Sequence, residues 1–163
     1  MHLTEAQRAT LNTDILADPA LAALPQGNPS ALTIANAYNA IVVDYIAWRS
    51  NVTADETGNA WVGTDIDGMA SLNMQRLQLL LASSTVGVYD MRRSDRRGGF
   101  ENPFGTNSNN ASRVAMRAVW KRPASRLEKL FASGTGSDAS PAVTTLEGTV
   151  DYHEINLVMG WPE

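Results

Sequence analysis

The sequence predicts a mainly α-helical protein: a small helical bundle with a long helix in its C-terminal half, long loops and at most a short β-hairpin. Two capping-box spacings, Thr4 with Gln7 and Thr53 with Glu56, mark helix starts. Apolar side chains also recur every three or four residues, which is the spacing of one buried helical face. With 163 residues and 44% hydrophobic composition, the chain can bury such a core as a single domain, residues 1–163.

The first predicted helix begins after Thr4 and ends at Pro19, because proline lacks the amide hydrogen that a continuing helix needs. A short turn over residues 19–24 follows it. A break rich in proline and glycine, residues 25–29, then separates this turn from the next helix.

The next helix is predicted to begin at Ser30, and it has a pronounced apolar stripe. The members of this stripe, three or four residues apart, are Ile34, Tyr38, Ile41, Tyr45 and Trp48. The run from Ile41 to Val43 is β-branched, and such residues weaken a helix. We therefore expect a bend after Asn39.

The middle of the chain is predicted to hold three more helical segments. The first follows the cap at Thr53 and ends near residues 58–63. The second is capped by Asp67 and ends at Ala82. One face of this second helix carries Met69, Leu72, Arg76 and Leu79. The third covers residues 84–91.

The longest predicted helix covers residues 111–132. Its apolar positions are Val114, Ala118, Leu127, Leu130 and Phe131. Pro123 lies inside this helix and should kink it, since proline removes one backbone hydrogen bond. Residues 143–150 are expected to form at most a short extended pair, and Asp151 caps a final helix that ends near Met159.

Charge is unevenly distributed along the chain, although the net charge is only −4. Residues 1–90 carry −6, residues 91–129 carry +7 and residues 130–163 carry −5. A basic middle between acidic ends indicates contact with a polyanion, contact with acidic surface on a neighbouring copy, or a solvated helical face. The acidic pI of about 5.1 disfavours a sequence-specific DNA-binding domain.

The sequence lacks the residue patterns of the common catalytic and metal centres. It has no cysteine, which excludes disulfides, thiolate metal sites and thiol nucleophiles. His2 and His153 are isolated in sequence and accompany no nucleophile motif. Residues 65–68 begin like a calcium loop, but Arg76 occupies the position of its closing carboxylate. We therefore expect no enzymatic activity, no metal and no cofactor, and also no membrane segment because no apolar run is long enough.

The segment 92–110 is predicted to be a flexible loop at a protein or DNA interface. Four arginines within six residues cannot be buried without partners, because desolvating each charge is costly. Gly98 and Gly99 add conformational freedom, while Phe100 and Phe104 offer apolar anchors for a neighbouring molecule. The candidate interface or DNA-channel residues are Arg92, Arg93, Arg96, Arg97, Phe100, Phe104, Arg113, Arg117, Lys121 and Arg122.

Several segments resemble a family of small neck proteins of tailed bacteriophages. The longest covers residues 121–136 and reads KRPASRLEKLFASGTG. The others are Leu3-Thr4-Glu5-Ala6-Gln7, Ala17-Asp18-Pro19-Ala20-Leu21, Ala37-Tyr38-Asn39, Trp48-Arg49-Ser50-Asn51-Val52, Ser140-Pro141-Ala142 and Leu146-Glu147-Gly148. These motifs are structural, so they are informative about family and poor in information about mechanism.

Members of that family are head completion proteins, also called head-to-tail connectors or adaptors. The resemblance implies a helical structural protein that docks as a ring of about twelve copies below the portal and forms part of the DNA channel. It implies the portal protein, a downstream neck or tail protein and further copies of this chain as partners, with non-specific contact to genomic DNA. It also implies synthesis in the bacterial host cytoplasm and residence in the virion.

Two other functions stay open at the level of sequence. One is another capsid- or tail-associated structural protein, and the other is a small DNA-packaging or nucleic-acid-binding helper. Binding to random duplex DNA that weakens with salt would favour the helper.

Overall fold

The computed structural model describes residues 1–83 and 87–162, and it confirms a mainly α-helical protein. Within these ranges the α-helices are α1 (Glu5–Ala17), α2 (Pro19–Ala22), α3 (Asn28–Asn39), α4 (Ala54–Asn59), α5 (Gly63–Asp67), α6 (Ser71–Ala82), α7 (Ser94–Glu101), α8 (Ala111–Val119), α9 (Arg126–Leu130) and α10 (Tyr152–Met159). A short 3-10 helix covers Asn102–Phe104. None of the helices described is long and apolar enough to cross a membrane.

The strands within the described ranges are short and pair two by two. They are β1 (Ile41–Trp48), β2 (Val52–Thr53), β3 (Val88–Tyr89), β4 (Lys121–Ser125), β5 (Ala132–Ser133) and β6 (Val143–Thr144). β1 pairs with β4, β2 with β3 and β5 with β6. The pairing of β2 with β3 is antiparallel, with Val52 opposite Tyr89.

The chain folds into two compact units, each assembled from separate stretches of sequence. The first unit consists of Met1–Tyr45, Pro123–Ser140 and Thr144–Glu163. The second consists of Ile46–Arg122 and Pro141–Val143. That the whole chain behaves as one domain stays a prediction.

The core of the first unit is formed by α1, α3, α9 and α10. Its fully buried large side chains are Leu11, Ile15, Ile34, Tyr38, Leu127 and Ile155. The Tyr38 hydroxyl donates a hydrogen bond to the Asp14 carboxylate over 2.5 Å, so its polar end is not left unsatisfied by burial. The prediction that Leu127 holds the core is confirmed, whereas Phe131 and Leu130 are only half-buried and pack against it.

The core of the second unit is rich in aromatic and sulfur-containing side chains. Its buried members are Val52, Leu77, Tyr89, Met91, Phe100, Met116 and Trp120. The rings of Tyr89 and Phe100 meet edge to face at 5.1 Å between centroids, and Phe100 lies 6.0 Å from Trp120. The indole Nε1–H of Trp120 donates to Thr57 Oγ1 over 3.2 Å, which satisfies its one polar atom.

The caps predicted from the sequence are confirmed at three helices. Thr4 and Thr53 form complete capping boxes at α1 and α4. Asp151 accepts the backbone N–H of Glu154 and begins α10. A further capping box, Ser125 with Glu128, begins α9 and was not predicted, although its spacing is visible in the sequence.

The apolar stripe of residues 34–48 is divided between a helix and a strand, so its prediction as one continuous helix was wrong. α3 ends at Asn39, where a bend was expected, and β1 begins at Ile41. The β-branched run that follows Ala40 favours an extended backbone. In this conformation the backbone of β1 pairs with β4.

The single helix predicted over residues 111–132 was also wrong. α8 ends at Val119, β4 covers Lys121–Ser125, and α9 begins at Arg126. Pro123 lies in the strand because an interior helical position would require the hydrogen bond that proline cannot donate. Val114, predicted to face the core, is exposed.

Three other segments differ from prediction. Asp67 is the last residue of α5 and does not cap α6, whose Leu72 and Leu79 are exposed while Leu77 is buried. The helix predicted over 84–91 begins in residues outside the described ranges. Within its described part, Val88–Tyr89 form the strand β3. The extended pair predicted within 143–150 is replaced by pairing of β6 with β5.

Candidate interface at the basic cluster

The ten candidate residues all lie in the second unit, on or beside α7, α8 and β4. Counted over the sequence, the second unit contains 10 Lys or Arg against 7 Asp or Glu, a net charge of +3. The first unit contains 3 against 10, a net charge of −7. The fold therefore separates the charges of this acidic chain into one basic and one strongly acidic unit.

The segment predicted as a loop over residues 92–110 is largely helical. α7 covers Ser94–Glu101, and the 3-10 helix follows it directly. Gly98 and Gly99 both lie inside α7 with ordinary helical backbone, since neither has a positive φ. Arg92 and Arg93 precede α7 in a turn, and the polar stretch 105–110 is irregular. This stretch ends in an N-cap, where Asn110 accepts the backbone N–H of Arg113.

Two of the four clustered arginines are paired with carboxylates close to them in sequence. Arg92 donates to both oxygens of Asp90 over 2.8 Å, and this hydrogen bonding lowers the pKa of Asp90 below its ordinary value. Arg93 pairs in the same way with Asp95 at the start of α7. Both pairs reach solvent, so they leave the surface polar while neutralising part of its charge.

The other two arginines have different environments. Arg97 places its guanidinium 4.2 Å from the centre of the Trp48 ring and donates to the backbone carbonyl of Met91. Arg96 is partly exposed and has no carboxylate partner within the described residues. Arg97 is therefore a structural residue, and Arg96 is available for a partner.

We expect Arg97→Ala to destabilise the protein by about 1–2 kcal/mol, because it removes a stacked cation and a hydrogen bond to backbone. Arg96→Ala, its neighbour on α7, should leave the free energy of unfolding unchanged. Urea denaturation of the two variants provides the comparison. Equal stability of both would show that Arg97 does not anchor α7 to Trp48.

The most buried charges of the cluster meet at Glu101, a residue that sequence reasoning missed. Arg117 donates to both of its oxygens over 2.7 Å, and Arg113 donates to Oε2 over 2.8 Å. The Glu101 side chain is 10% exposed and that of Arg113 is 11% exposed. Burial raises the pKa of Glu101, but the hydrogen bonds from Arg117 and Arg113 outweigh it, so its pKa lies below the ordinary value. Glu101 thus fixes α8 to α7 through a shared ion pair.

The two phenylalanines do not serve equally as anchors for a neighbour. Phe100 is fully buried between Tyr89 and Trp120, so the prediction that it projects toward a partner was wrong. It lies near the end of α7, on the face that packs into the second core. Phe104 is half-buried, with its ring 6.3 Å from that of Trp61.

The N-terminus of α8 is fixed by the carboxylate of Asp65, which lies far from it in sequence. Asp65 accepts both the backbone N–H and the hydroxyl of Ser112, at 2.8 and 2.7 Å, and these bonds lower the pKa of Asp65. The same Ser112 oxygen accepts the backbone N–H of Val62. The role of Asp65 thus depends on a residue 47 positions away in sequence.

The last two candidates, Lys121 and Arg122, are half-buried on β4. Both make contacts within the chain, so neither is a free charge. Arg96 is therefore the member of the candidate set that most clearly offers an uncompensated charge. Phe104 offers partly exposed apolar surface in the same unit.

Comparisons of this chain with protein-family models, with curated proteins and with solved structures gave no match in any of the three.

Proposed function

We propose that this chain is a structural protein of a tailed bacteriophage, a head-to-tail connector that docks as a ring below the portal and lines part of the DNA channel. In this proposal it is not an enzyme. It works by contact with the portal protein, with a downstream neck or tail protein and with further copies of itself. The proposal starts from the sequence resemblance to neck proteins and depends on the distribution of charge between the two units.

The observation that carries the proposal is the opposite charge of the two units, +3 and −7. Copies related by rotation in a ring contact each other through two different surfaces, so each copy needs two complementary surfaces. A chain with one basic and one acidic unit carries the charges of both signs that such a pair of surfaces needs. Long-range attraction between such surfaces also orients the copies as they meet.

The internal ion pairs of the basic cluster support a role in a DNA channel better than a role in tight DNA binding. Asp90, Asp95 and Glu101 neutralise much of the positive charge on and around α7 and α8. Affinity for duplex DNA rises with the number of phosphates that basic side chains neutralise. A weakly basic wall lets the DNA pass, whereas an uncompensated arginine cluster would hold it.

Docking to the portal is tested by mixing this chain with the purified portal ring and measuring the mass of the complex. We expect defined complexes with up to one copy per portal subunit. A variant with Arg92, Arg93 and Arg96 all changed to Ser should lose this binding, while the matched variant with Lys at the same positions should keep it. Arg97 is left in place because it supports the fold.

Two results would contradict the proposal. One is a portal ring that gains no mass at any concentration of this chain. The other is strong, salt-dependent binding of the chain alone to random duplex DNA, which would favour the nucleic-acid-binding helper.

A further inference from the structure

The second unit has an open groove between α6 and the segment formed by α7 and the 3-10 helix. We propose that this groove binds a second copy of the chain. The acidic surface of that copy's first unit would occupy the groove. The inference rests on the ring proposed above and names one of its contact surfaces. We call this feature the α6 groove and define it by its lining residues, Arg76, Leu79, Leu80, Ser83, Gly99, Asn102 and Pro103.

The α6 groove is wide enough to receive side chains from another protein. Its volume is about 500 Å³. Gly99 forms part of its floor, and a Cβ added there would lie 3.5 Å from the nearest methyl carbon of Leu80. Asn73 fixes the opposite end of the wall by donating to the backbone carbonyl of Pro103 over 3.2 Å.

The outer face of α6 carries large apolar side chains that the rest of the described chain leaves exposed. Leu72 is 58% exposed and Leu79 is 69% exposed, while Leu77 is buried on the inner face. Residues 72, 76 and 79 share one face because they are separated by four and three positions. Exposed apolar surface grouped beside a groove is typical of a protein contact site.

The charge of the groove indicates what covers it. Arg76 is exposed on the same face and has no carboxylate partner within the described residues, unlike Arg113 and Arg117 in the same unit. The occupant should therefore supply apolar side chains together with a carboxylate. Because the first unit carries −7 and the second +3, a second copy of this chain provides the complementary charge.

The start of β1 in the first unit has the required composition. Ile41 is 58% exposed and Val43 is 74% exposed, and alternate residues of a strand share a face. Asp44 follows them on the opposite face of the strand, is exposed and has no basic partner within the described residues. Asp14 and Asp18, the carboxylates near the exposed Leu16, are already paired with Arg126. The segment Ile41–Asp44 therefore offers the groove two exposed apolar side chains on one face and an unpaired carboxylate on the other.

Site-specific photo-crosslinking tests this contact in the full-length chain. A benzophenone amino acid is placed at position 79, and light and isotope-labelled copies are mixed in concentrated solution before irradiation. We expect crosslinked peptides that join position 79 of one copy to residues 41–44 of another. The same probe at Gln78, exposed on α6 but outside the groove lining, should give few of these crosslinks.

A charge exchange makes the test specific. Arg76→Glu should lower the yield of the crosslink about tenfold, since it places two carboxylates opposite each other. Mixing this variant with copies that carry Asp44→Arg should restore the yield. Because both side chains are exposed and unpaired within the described chain, the circular dichroism spectra of both variants should match that of the parent.

Crosslinks confined to one copy, crosslinks to another region, or no rescue by the charge exchange would overturn the inference. Since the experiment needs neither portal nor virion, its outcome is separate from that of the proposed function. If the chain forms a ring in the virion neck without this crosslink, only the placement of the contact is wrong. If the crosslink forms but the chain is absent from the neck, only the proposed function is wrong.

Discussion

Replacing Glu101 by alanine is expected to destabilise the protein by about 3–5 kcal/mol. The change leaves Arg113 and Arg117 facing each other without their shared carboxylate, and the Arg113 side chain is only 11% exposed. Chemical denaturation followed by tryptophan fluorescence measures the loss. The matched control is Asp95→Ala, which removes a carboxylate from a solvent-exposed ion pair on the same helix and should have little effect. Equal effects of the two changes would show that the Glu101 pair does not stabilise the second unit.

The stabilisation by Glu101 should also depend on pH in a defined direction. Its pKa in the folded state lies below the ordinary value of 4.5, so folding favours the ionised form. The contribution is complete above pH 4.5 and is lost as the pH falls through the lowered pKa. The difference in stability between the parent and Glu101→Gln should therefore be greatest near neutral pH and shrink on acidification. A difference that grows below pH 4.5 would contradict this assignment.

Trp120→Ala should cost about 3–5 kcal/mol, because it empties the centre of the second core. The ring is fully buried and contacts Phe100, and its indole N–H donates a hydrogen bond to the Thr57 hydroxyl. Thermal and urea unfolding of the variant give the magnitude. Val114→Ala on the exposed face of α8 is the control, and it should change stability by no more than about 0.5 kcal/mol. A loss below about 1 kcal/mol for Trp120→Ala would mean that this core does not limit stability.

Local signals in the sequence were sufficient to predict where many helices begin. An N-cap bond or a capping box involves residues only three positions apart, so the boxes at Thr4 and Thr53 and the N-cap at Asp151 could be identified without knowledge of the fold. The mainly α-helical class followed from the same signals. Helix ends were less predictable, because residues 41–48 fit the apolar spacing of a helix and the preference of a strand, and pairing with β4 decides between them.

At the candidate interface, too, features set by neighbours in sequence were predictable and features set by distant residues were not. Clustering of arginine was visible in the sequence, but the partners that distinguish one arginine from another were not. Glu101 precedes Arg113 and Arg117 by 12 and 16 positions, and only the packing of α7 against α8 brings them together. Trp48 is still farther from Arg97 in sequence. Ion pairs between elements depend on tertiary geometry, for which a single sequence carries no periodic signal.

Cryo-electron microscopy of virions that contain this chain, with a localised reconstruction of the neck, is the decisive experiment for the proposed ring at the head-to-tail junction. The account predicts a ring of this chain immediately below the portal, enclosing the DNA channel, with the basic unit of each copy against the acidic unit of the next. Density for the chain on the capsid shell or along the tail tube, with no ring below the portal, would contradict it.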